Sequence, residues 1–371
     1  MEESDPSLRR LLEERSKRAD HSSIVTSNDA LPQEIHDITC DNLLLEHGSN
    51  YIKDLTGLTE AQFSEIFDVC KGTINYDGPG HRYSDLKCHL LMYITWLTSG
   101  WTVKELAMFF HISRSAMQRT LNYMMSGTVE ALKAQYLPAT KDCITLKNSF
   151  EHFPAAIGAV DASLILVQKP KDRETRDCVY SGKHNLHGKK VQVVVSSDSL
   201  AIHFTKAFDG RRHDSAIFRE SGLAEFLEKR RKGGFGLRKA HPPLLADSSY
   251  IGLMDVYEEL LVSKKRKPGT GLSKGDAEWN KKLHSDRIIV ENYFGRLKCY
   301  FGILSRPYRD SLNTLDDVVF TCVCLANMMI RDSPLRIQHN DEETSNFSSS
   351  SELEISSPPQ KRRASEKSKR K

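Results

Sequence analysis

The stretch AAIGAVDASLILVQKP, residues 155–170, decides the fold class of this 371-residue chain. Its Ile, Val and Leu residues alternate with small residues over the length of one strand, and Asp161 interrupts the apolar run. An ionised carboxylate inside a strand is costly unless it is paired or binds a cation. We therefore expect a buried β-strand that presents Asp161 at a functional site, with a purely structural carboxylate as the alternative.

The segments that follow alternate between strand and helix patterns. KKVQVVVSSDSLAIHFTKAFDG (189–210) predicts two strands joined by a turn at Ser197–Ser199, and PPLLADSSY (242–250) predicts a short strand. Helices are predicted over 213–231, near 252–262, over 276–303 and over 314–332. Strands that come first and then alternate with helices indicate an α/β fold with one mixed sheet, over residues 150–332.

Residues 51–148 have a helical pattern and predict a small all-α domain in front of the sheet. Thr59 and Ser84 are expected to cap its first two helices. WTVKELAMFFHISRSAMQRTLNYMM (101–125) then predicts two short helices with a tight break and Ser113 as the second cap, which is typical of a helix-turn-helix. The second helix would offer polar side chains to base edges and phosphates, namely Arg114, Ser115, Gln118, Arg119 and Asn122. An ordinary helical hairpin with a polar outer face is the alternative.

The two ends of the chain are polar. Residues 1–50 show little periodicity and are expected to be mostly flexible, and residues 333–371 read as a disordered Ser-rich tail. Seven of the last eleven residues are Lys or Arg, which indicates nuclear localisation, although such a tail can also be simply solvated or bind RNA unspecifically. No run approaches the eighteen apolar residues of a membrane span, so no membrane partner is expected.

A second informative stretch is RIIVENYFGRLK, residues 287–298. Helical spacing puts Arg287, Glu291 and Lys298 on one face, and His284 extends that face backwards. One interpretation is a solvated stripe with an ordinary ion pair between Arg287 and Glu291, which stabilises the helix by about 0.2–0.5 kcal/mol. The other makes Glu291 a metal ligand, with cations beside it that hold a polyanion such as the phosphate backbone of DNA.

The metal interpretation needs further carboxylates, and the chain offers three. Asp161 lies in the first strand, Asp247 ends the strand in LLAD, and Asp214 opens a helix. Asp214 could instead be a helix cap, and Asp247 a turn-forming residue. Carboxylates from different strands can hold two divalent cations, which stabilise the attacking and leaving oxygens of a phosphodiester during an in-line displacement. Mg²⁺ prefers such oxygen ligands.

Taken in order, five segments behind the helix-turn-helix resemble the PIF/Harbinger-type DDE transposases, including the Harbinger transposase-derived nucleases, over about residues 80–330. They are GAVDAS, YSGKHNLHGKKVQVVVSSD, FDGRRHDSAIFRES, LADSSY and HSDRIIVENYFGRLK. The resemblance implies an RNase H-like fold and a metal-dependent DNA endonuclease or transposase in which Asp161, Asp247 and Glu291 hold Mg²⁺ or Mn²⁺. Asp214 is a further candidate metal ligand, and whether it or Asp247 is the second catalytic acid stays open. His284 stands where related bacterial transposases carry Tyr.

The candidate DNA contacts are Arg114, Gln118, Arg119, Arg287 and Lys298. The resemblance also implies that a Myb-like partner protein can supply DNA binding and nuclear import, and assembly into a homo-oligomer is left open. The alternative function is a domesticated, non-catalytic DNA-binding or chromatin-associated protein that keeps the fold. A purely structural metal site is a third interpretation.

Overall fold

The computed structural model describes residues 39–48, 50–74, 85–137, 149–225, 243–254, 257–258, 260–266 and 271–333. All of them belong to one compact unit. The predictions for residues 1–38 and for the basic tail from 334 onward lie outside the described residues.

The part of the chain before the sheet is helical. Its described helices are α1 (Cys40–His47), α2 (Tyr51–Thr56), α3 (Glu60–Cys70), α4 (Leu86–Ser99), α5 (Val103–Phe109) and α6 (Arg114–Tyr136). The expected cap at Thr59 is confirmed, because its side chain accepts a hydrogen bond from the Gln62 N–H in a capping box. Two expectations are wrong. Helix α1 lies in a segment expected to be flexible, and α4 is capped by Asp85 instead of Ser84.

Helices α5 and α6 form a helical hairpin where the helix-turn-helix was expected, and a helix-turn-helix function for it stays a prediction. Ser113 caps α6 by accepting a hydrogen bond from the Ala116 N–H at 3.1 Å, as expected. The prediction of a short second helix is wrong, because α6 runs for 23 residues and its later part is buried at Val129, Leu132 and Tyr136. Of the residues expected to face outward, Gln118 is half-buried, and the exposed ones are Arg114, Ser115, Arg119 and Asn122.

The second part of the unit is one mixed sheet. Its described strands are β1 (Gly158–Leu166), β2 (Tyr180–Ser181), β3 (Leu186–Val195), β4 (Ala201–Phe204), β5 (Phe208–Asp209), β6 (Leu244–Ala246) and β7 (Leu260–Val262). Strand β3 is antiparallel to β1, β2, β4 and β5, whereas β1, β6 and β7 are parallel to one another. This curled mixed sheet is consistent with the expected RNase H-like fold.

The helices that accompany the strands and whose bounds are described are α7 (Arg173–Val179), α8 (Asp214–Glu220), α9 (Lys274–Tyr300), α10 (Gly302–Ser305) and α11 (Leu315–Asp332). The long helices α9 and α11 confirm two predictions. Two others are wrong. The single helix expected over 213–231 is interrupted after Glu220, where Gly222 has a φ of 72°; helical residues resume at 223–225, and 226–231 lie outside the described residues. The helix expected near 252–262 is replaced by a 3-10 turn at Ser248–Leu253 and strand β7.

The two faces of the sheet belong to two hydrophobic clusters. On β3, Val191, Val193 and Val195 pack into the larger cluster, which also contains side chains of α4, α6, α9 and α11. Val194 points to the smaller cluster on the opposite face, together with Phe218 and Tyr250. The helical part and the sheet therefore share the larger core, while a domain boundary near residues 148–150 stays a prediction.

Helix α11 lies in that larger core. The segment Leu312–Asp332 is long and apolar enough to cross a membrane by length and composition, but 67% of its apolar window is buried inside the protein. A core helix of this kind is sufficient to explain its composition.

Candidate active site

Asp161 in β1 and Asp247, the residue directly after the adjacent parallel strand β6, lie at the same level of the sheet. Strand β1 pairs with β6 through Gly158 with Leu244 and Ala159 with Leu245, so each aspartate follows the last registered pair by two residues. Adjacent strands lie about 5 Å apart, and residues two apart on a strand share a face. The sheet register therefore brings these two sequence-predicted acids together at one point.

The face on which they lie is set by the same register. Asp161 is opposite Val193 on β3, and Val193 packs into the larger cluster beneath α9. Residues that pair directly across antiparallel strands share a face. The Asp161 carboxylate accordingly meets Arg287 of α9, with Nη2 at 3.7 Å from Oδ2.

Asp161 has an unusual electrostatic environment. The pKa of this carboxyl is raised from 3.8 to about 6; burial is the largest cause, the Ala162 N–H and Arg287 lower the pKa, and the negative charges of Asp247 and Asp214 raise it. The Ala162 N–H donates to Oδ1 at 2.7 Å. This carboxylate is half-buried, has acidic neighbours and is paired with one guanidinium at 3.7 Å. A bound metal ion would therefore stabilise its ionised form.

Asp247 is held in the turn that follows β6. It caps the 3-10 turn, and its Oδ1 accepts hydrogen bonds from the Ser249 N–H at 2.8 Å and from the Ser249 hydroxyl. The turn-forming role considered for this residue is therefore present. Both bonds use one oxygen, so within the described residues Oδ2 remains available to a ligand.

Asp214 lies on the opposite face of the sheet. Its carboxylate forms an ion pair with Lys190, with Nζ at 2.9 Å from Oδ1, and the side chains are each 10% exposed. Lys190 also donates to the Arg212 carbonyl at 2.8 Å. The alternative role as a helix cap is wrong, because His213 occupies the N-cap and Asp214 is the first residue of α8.

Three residues of this layer were not singled out from the sequence: Lys190, Gln192 and Tyr250. The Tyr250 ring is fully buried, and its hydroxyl accepts a hydrogen bond from Gln192 Nε2 at 3.0 Å. Burial, followed by the charges of Asp161 and Asp214, holds the pKa of Tyr250 well above its ordinary value. The signal was the alternation in KKVQVVV, where two polar residues occupy one face of an otherwise apolar strand.

Helix α9 carries the remaining predicted residues at the edge of its buried face. Glu291 and His284 are exposed, and Glu291 lies about 40° around the helix from Arg287, at about 100° per residue. Within the described residues, no ion pair or hydrogen bond joins Glu291 to Asp161 or Asp247. Lys298 donates to the Leu164 carbonyl of β1 at 3.3 Å, and burial lowers its pKa.

Arg287 differs from the solvated-stripe interpretation. It is only 6% exposed, and its ion-pair partner is Asp161 instead of Glu291. Its Nε is buried without a hydrogen-bond partner.

A second group of possible metal ligands is formed by Glu151, His152 and Asp286, whose ligand atoms lie within 4.8 Å of one another. One oxygen of Asp286, however, accepts hydrogen bonds from the N–H groups of His152 and Phe153, both at 3.0 Å. The carboxylate thus fixes the turn that leads toward β1.

Comparisons with known proteins point to nucleic-acid chemistry. Residues 160–327 match the sequence model of a family described as DDE superfamily endonuclease, and this range contains Asp161, Asp214, Asp247 and Glu291. The chain is also 25% identical over 262 residues to the probable transposase for insertion sequence element IS702 of Microchaete diplosiphon. This alignment covers 70% of this chain and 86% of that protein. No solved structure matches significantly.

Proposed function

We propose that this chain is a metal-dependent DNA endonuclease or transposase that hydrolyses or transfers phosphodiester bonds. The observation that carries the proposal is that the parallel register of β1 and β6 brings Asp161 and Asp247 side by side. The helix that bears Glu291 packs beside them. The match to the endonuclease family supports the general activity. The finer PIF/Harbinger assignment rests on the ordered motifs of the sequence.

The residues present fit a divalent cation. The donors are carboxylate oxygens, which Mg²⁺ and Mn²⁺ prefer, and among the described residues the one cation paired with Asp161 is a guanidinium at 3.7 Å. When bound, such cations stabilise the attacking and leaving oxygens of the phosphodiester. We assign Asp161, Asp247 and Glu291 to hold them, and leave Asp214 out because Lys190 already neutralises it on the other face of the sheet.

The chain's own residues have separate tasks in this proposal. Arg287 holds the Asp161 carboxylate toward α9, and Ser249 fixes Asp247 by its Oδ1. Because Arg287 is buried, we assign it to Asp161 and not to DNA. Lys298 at the edge of β1, with the exposed start of α6, binds the phosphate backbone, where Arg114, Gln118 and Arg119 are the candidate contacts.

Plasmid nicking tests the activity. We expect nicking with Mn²⁺, none with chelator, and a loss of at least about 100-fold in Asp161→Asn. The matched control is Glu278→Gln, because Glu278 is an exposed acid on α9 that pairs with Lys282 away from the site. Equal nicking by wild type and Asp161→Asn would contradict the site. The comparisons give no support to a non-catalytic DNA-binding protein, and absent nicking with retained DNA binding would favour that alternative.

We further propose that the basic residues near the C-terminus direct the protein to the nucleus. The support is the stretch PPQKRRASEKSKRK, residues 358–371. A fluorescent fusion lacking 358–371 should lose its nuclear signal. An undiminished signal would favour import by a partner such as the Myb-like protein, which stays a prediction together with the homo-oligomer.

A further inference from the structure

The segment Arg306–Asp310, which links α10 to α11, carries two exposed arginines on a firmly attached backbone. Tyr308 is 1% exposed, and its N–H donates to the Leu166 carbonyl at 2.9 Å. Its own carbonyl accepts from the Gln168 N–H at 2.8 Å. The segment is thus joined to the end of β1, and Arg306 and Arg309 flank this junction in solvent.

Helix α10, which precedes this segment, lies against the turn between α4 and α5. Gly100 has a φ of 62°, and a Cβ placed there would come within 2.5 Å of the Gly302 carbonyl. The backbones therefore touch, with no room for side chains. A shallow hollow beside this contact is lined by Trp101, Thr102, Arg306, Arg309 and Asp310, among others.

The start of α6 interacts electrostatically with this surface. Burial raises the pKa of Asp310, and the charge of the Arg114 guanidinium lowers it. Arg114 itself is exposed. Arg306, Arg309 and Asp310 therefore share one surface beside the hollow, and Arg114, the first residue of α6, is linked to it through the charge of Asp310.

Strand β1 connects that surface to the candidate active site. Val167, which bridges to Tyr308, lies six positions after Asp161, and at about 3.3 Å per position the two are about 20 Å apart along the strand. Lys298 binds the Leu164 carbonyl between the two ends. A distance of about 20 Å corresponds to about six base pairs at 3.4 Å each.

We propose that Arg306 and Arg309, together with Arg114, bind the phosphate backbone of duplex DNA about half a helical turn from the bond held at Asp161. This inference rests on the proposed function. Within the described residues neither Arg306 nor Arg309 has an ion-pair partner, so each guanidinium is free to exchange its counterions for a phosphate. Asp310 is the one acidic side chain in the hollow and opposes the binding.

Fluorescence anisotropy on a labelled 30-base-pair duplex, in chelator and at several salt concentrations, tests the inference without requiring cleavage. Arg306→Gln/Arg309→Gln should lower the log-log salt slope by about 1.8, because each lost phosphate contact removes about 0.9. Lys71→Gln/Lys282→Gln is the control, since it removes two exposed charges that pair locally with Asp68 and Glu278; its slope should equal that of the wild type.

A third variant should change duplex affinity in the opposite direction. Asp310→Asn should tighten duplex binding at low salt, because it removes the anion beside Arg114; a purely structural role of this segment would not strengthen binding. An unchanged salt slope in the double arginine variant, or weaker binding in Asp310→Asn with the fold intact by circular dichroism, would overturn the inference while the proposed function stands. A wild-type protein that binds no duplex would instead contradict the proposed function.

Discussion

At the scale of single residues, the negative charge of Asp161 destabilises the fold and at the same time favours the binding of a cation. Its carboxylate is half-buried beside Asp247, and its cation Arg287 is 3.7 Å away. The raised pKa reflects how unfavourable the ionised carboxylate is in the folded protein. A proton neutralises this charge, and a bound metal ion would do the same. Proton binding and metal binding should therefore compete at this residue.

This competition predicts a pH-dependent stability without metal. Because the pKa of Asp161 rises from 3.8 to about 6 in the folded state, its proton stabilises the fold below about pH 4, and this contribution is lost as the pH rises through about 6. Asp161→Asn lacks the group, so its stability relative to wild type should increase between pH 4 and pH 7.5, by at most about 3 kcal/mol. Urea unfolding in chelator measures this difference.

The complementary measurement adds metal. At pH 7.5, Mn²⁺ should raise the melting temperature of the wild type and leave Asp161→Asn unchanged, since a ligand that binds the folded state stabilises it. A variant that gains as much as the wild type would show that the ion binds elsewhere, for example at Glu151, His152 and Asp286.

Lys190 gives a second prediction at this scale. Its ammonium is the direct partner of the buried Asp214 carboxylate. Lys190→Met should therefore destabilise the protein by about 3 kcal/mol, because an unpaired buried charge remains. Lys190→Met/Asp214→Asn should recover a large part of that loss in the same urea experiment. A double variant no more stable than Lys190→Met would mean that Lys190 acts through packing or through the Arg212 carbonyl.

The sequence predicted the acids of this site better than their partners. Asp161 and Asp247 stand out because charge is unexpected in or just after apolar strands. Lys190 and Gln192 carry only the weak signal of polar residues on one face of an apolar strand, and Tyr250 carries none, because their roles depend on contacts with Asp214 and with each other. These contacts depend on how α8 and the 3-10 turn pack against β3, which the sequence does not specify.

At the scale of elements, α9 gives different environments to three charged residues that the sequence places on one helical face. Arg287 and Lys298 are anchored to β1 through Asp161 and the Leu164 carbonyl, whereas Glu291 is exposed at the edge of the same face. This helical face is therefore partly buried against β1, and it is not fully solvated as one interpretation of the sequence had it.

We expect Glu291→Gln and Lys298→Ala to fail differently. Glu291→Gln should lower Mn²⁺ affinity and nicking, while DNA affinity in chelator holds or rises because a repulsive anion is removed. Lys298→Ala should keep Mn²⁺ affinity and weaken DNA binding, most clearly at low salt. Calorimetric Mn²⁺ titration and duplex binding measure the two effects, with Glu278→Gln as the matched control on α9. Unaltered Mn²⁺ affinity in Glu291→Gln would return Glu291 to a solvated role.

Strand β7 shows why one element was predicted wrongly. The residues around 252–262 combine apolar spacing with good helix formers, and local propensity therefore favoured a helix. In the structure Leu260 and Val262 are buried, and β7 pairs in parallel with β6. Tertiary pairing overrides local preference here, because a short apolar run fits a buried parallel strand as well as a helix.

At the scale of the whole molecule, the helical hairpin is joined to the sheet by buried polar contacts as well as by the shared core. Asn327 of α11 accepts from the Ala201 N–H at 2.9 Å and donates to the carbonyls of Ala201 and Tyr136. Tyr93 of α4 donates to Thr321 of α11 at 3.1 Å. Such contacts specify one arrangement of the core, since each is costly to leave unmade.

The resulting prediction is that the helical part and the sheet unfold together. Trp279→Phe leaves Trp96 and Trp101 as fluorescence reporters of the helical part, and adding Asn327→Leu should lower the stability they report by about 2–4 kcal/mol, because buried backbone groups lose their partners. Circular dichroism of the whole protein should give the same midpoint. Asn313→Leu, at an exposed position before α11, should change stability by less than about 0.5 kcal/mol. If Asn327→Leu moved the dichroism midpoint and left the tryptophan signal unchanged, the hairpin would be a separate domain, and DNA held by α6 would have no fixed distance to Asp161.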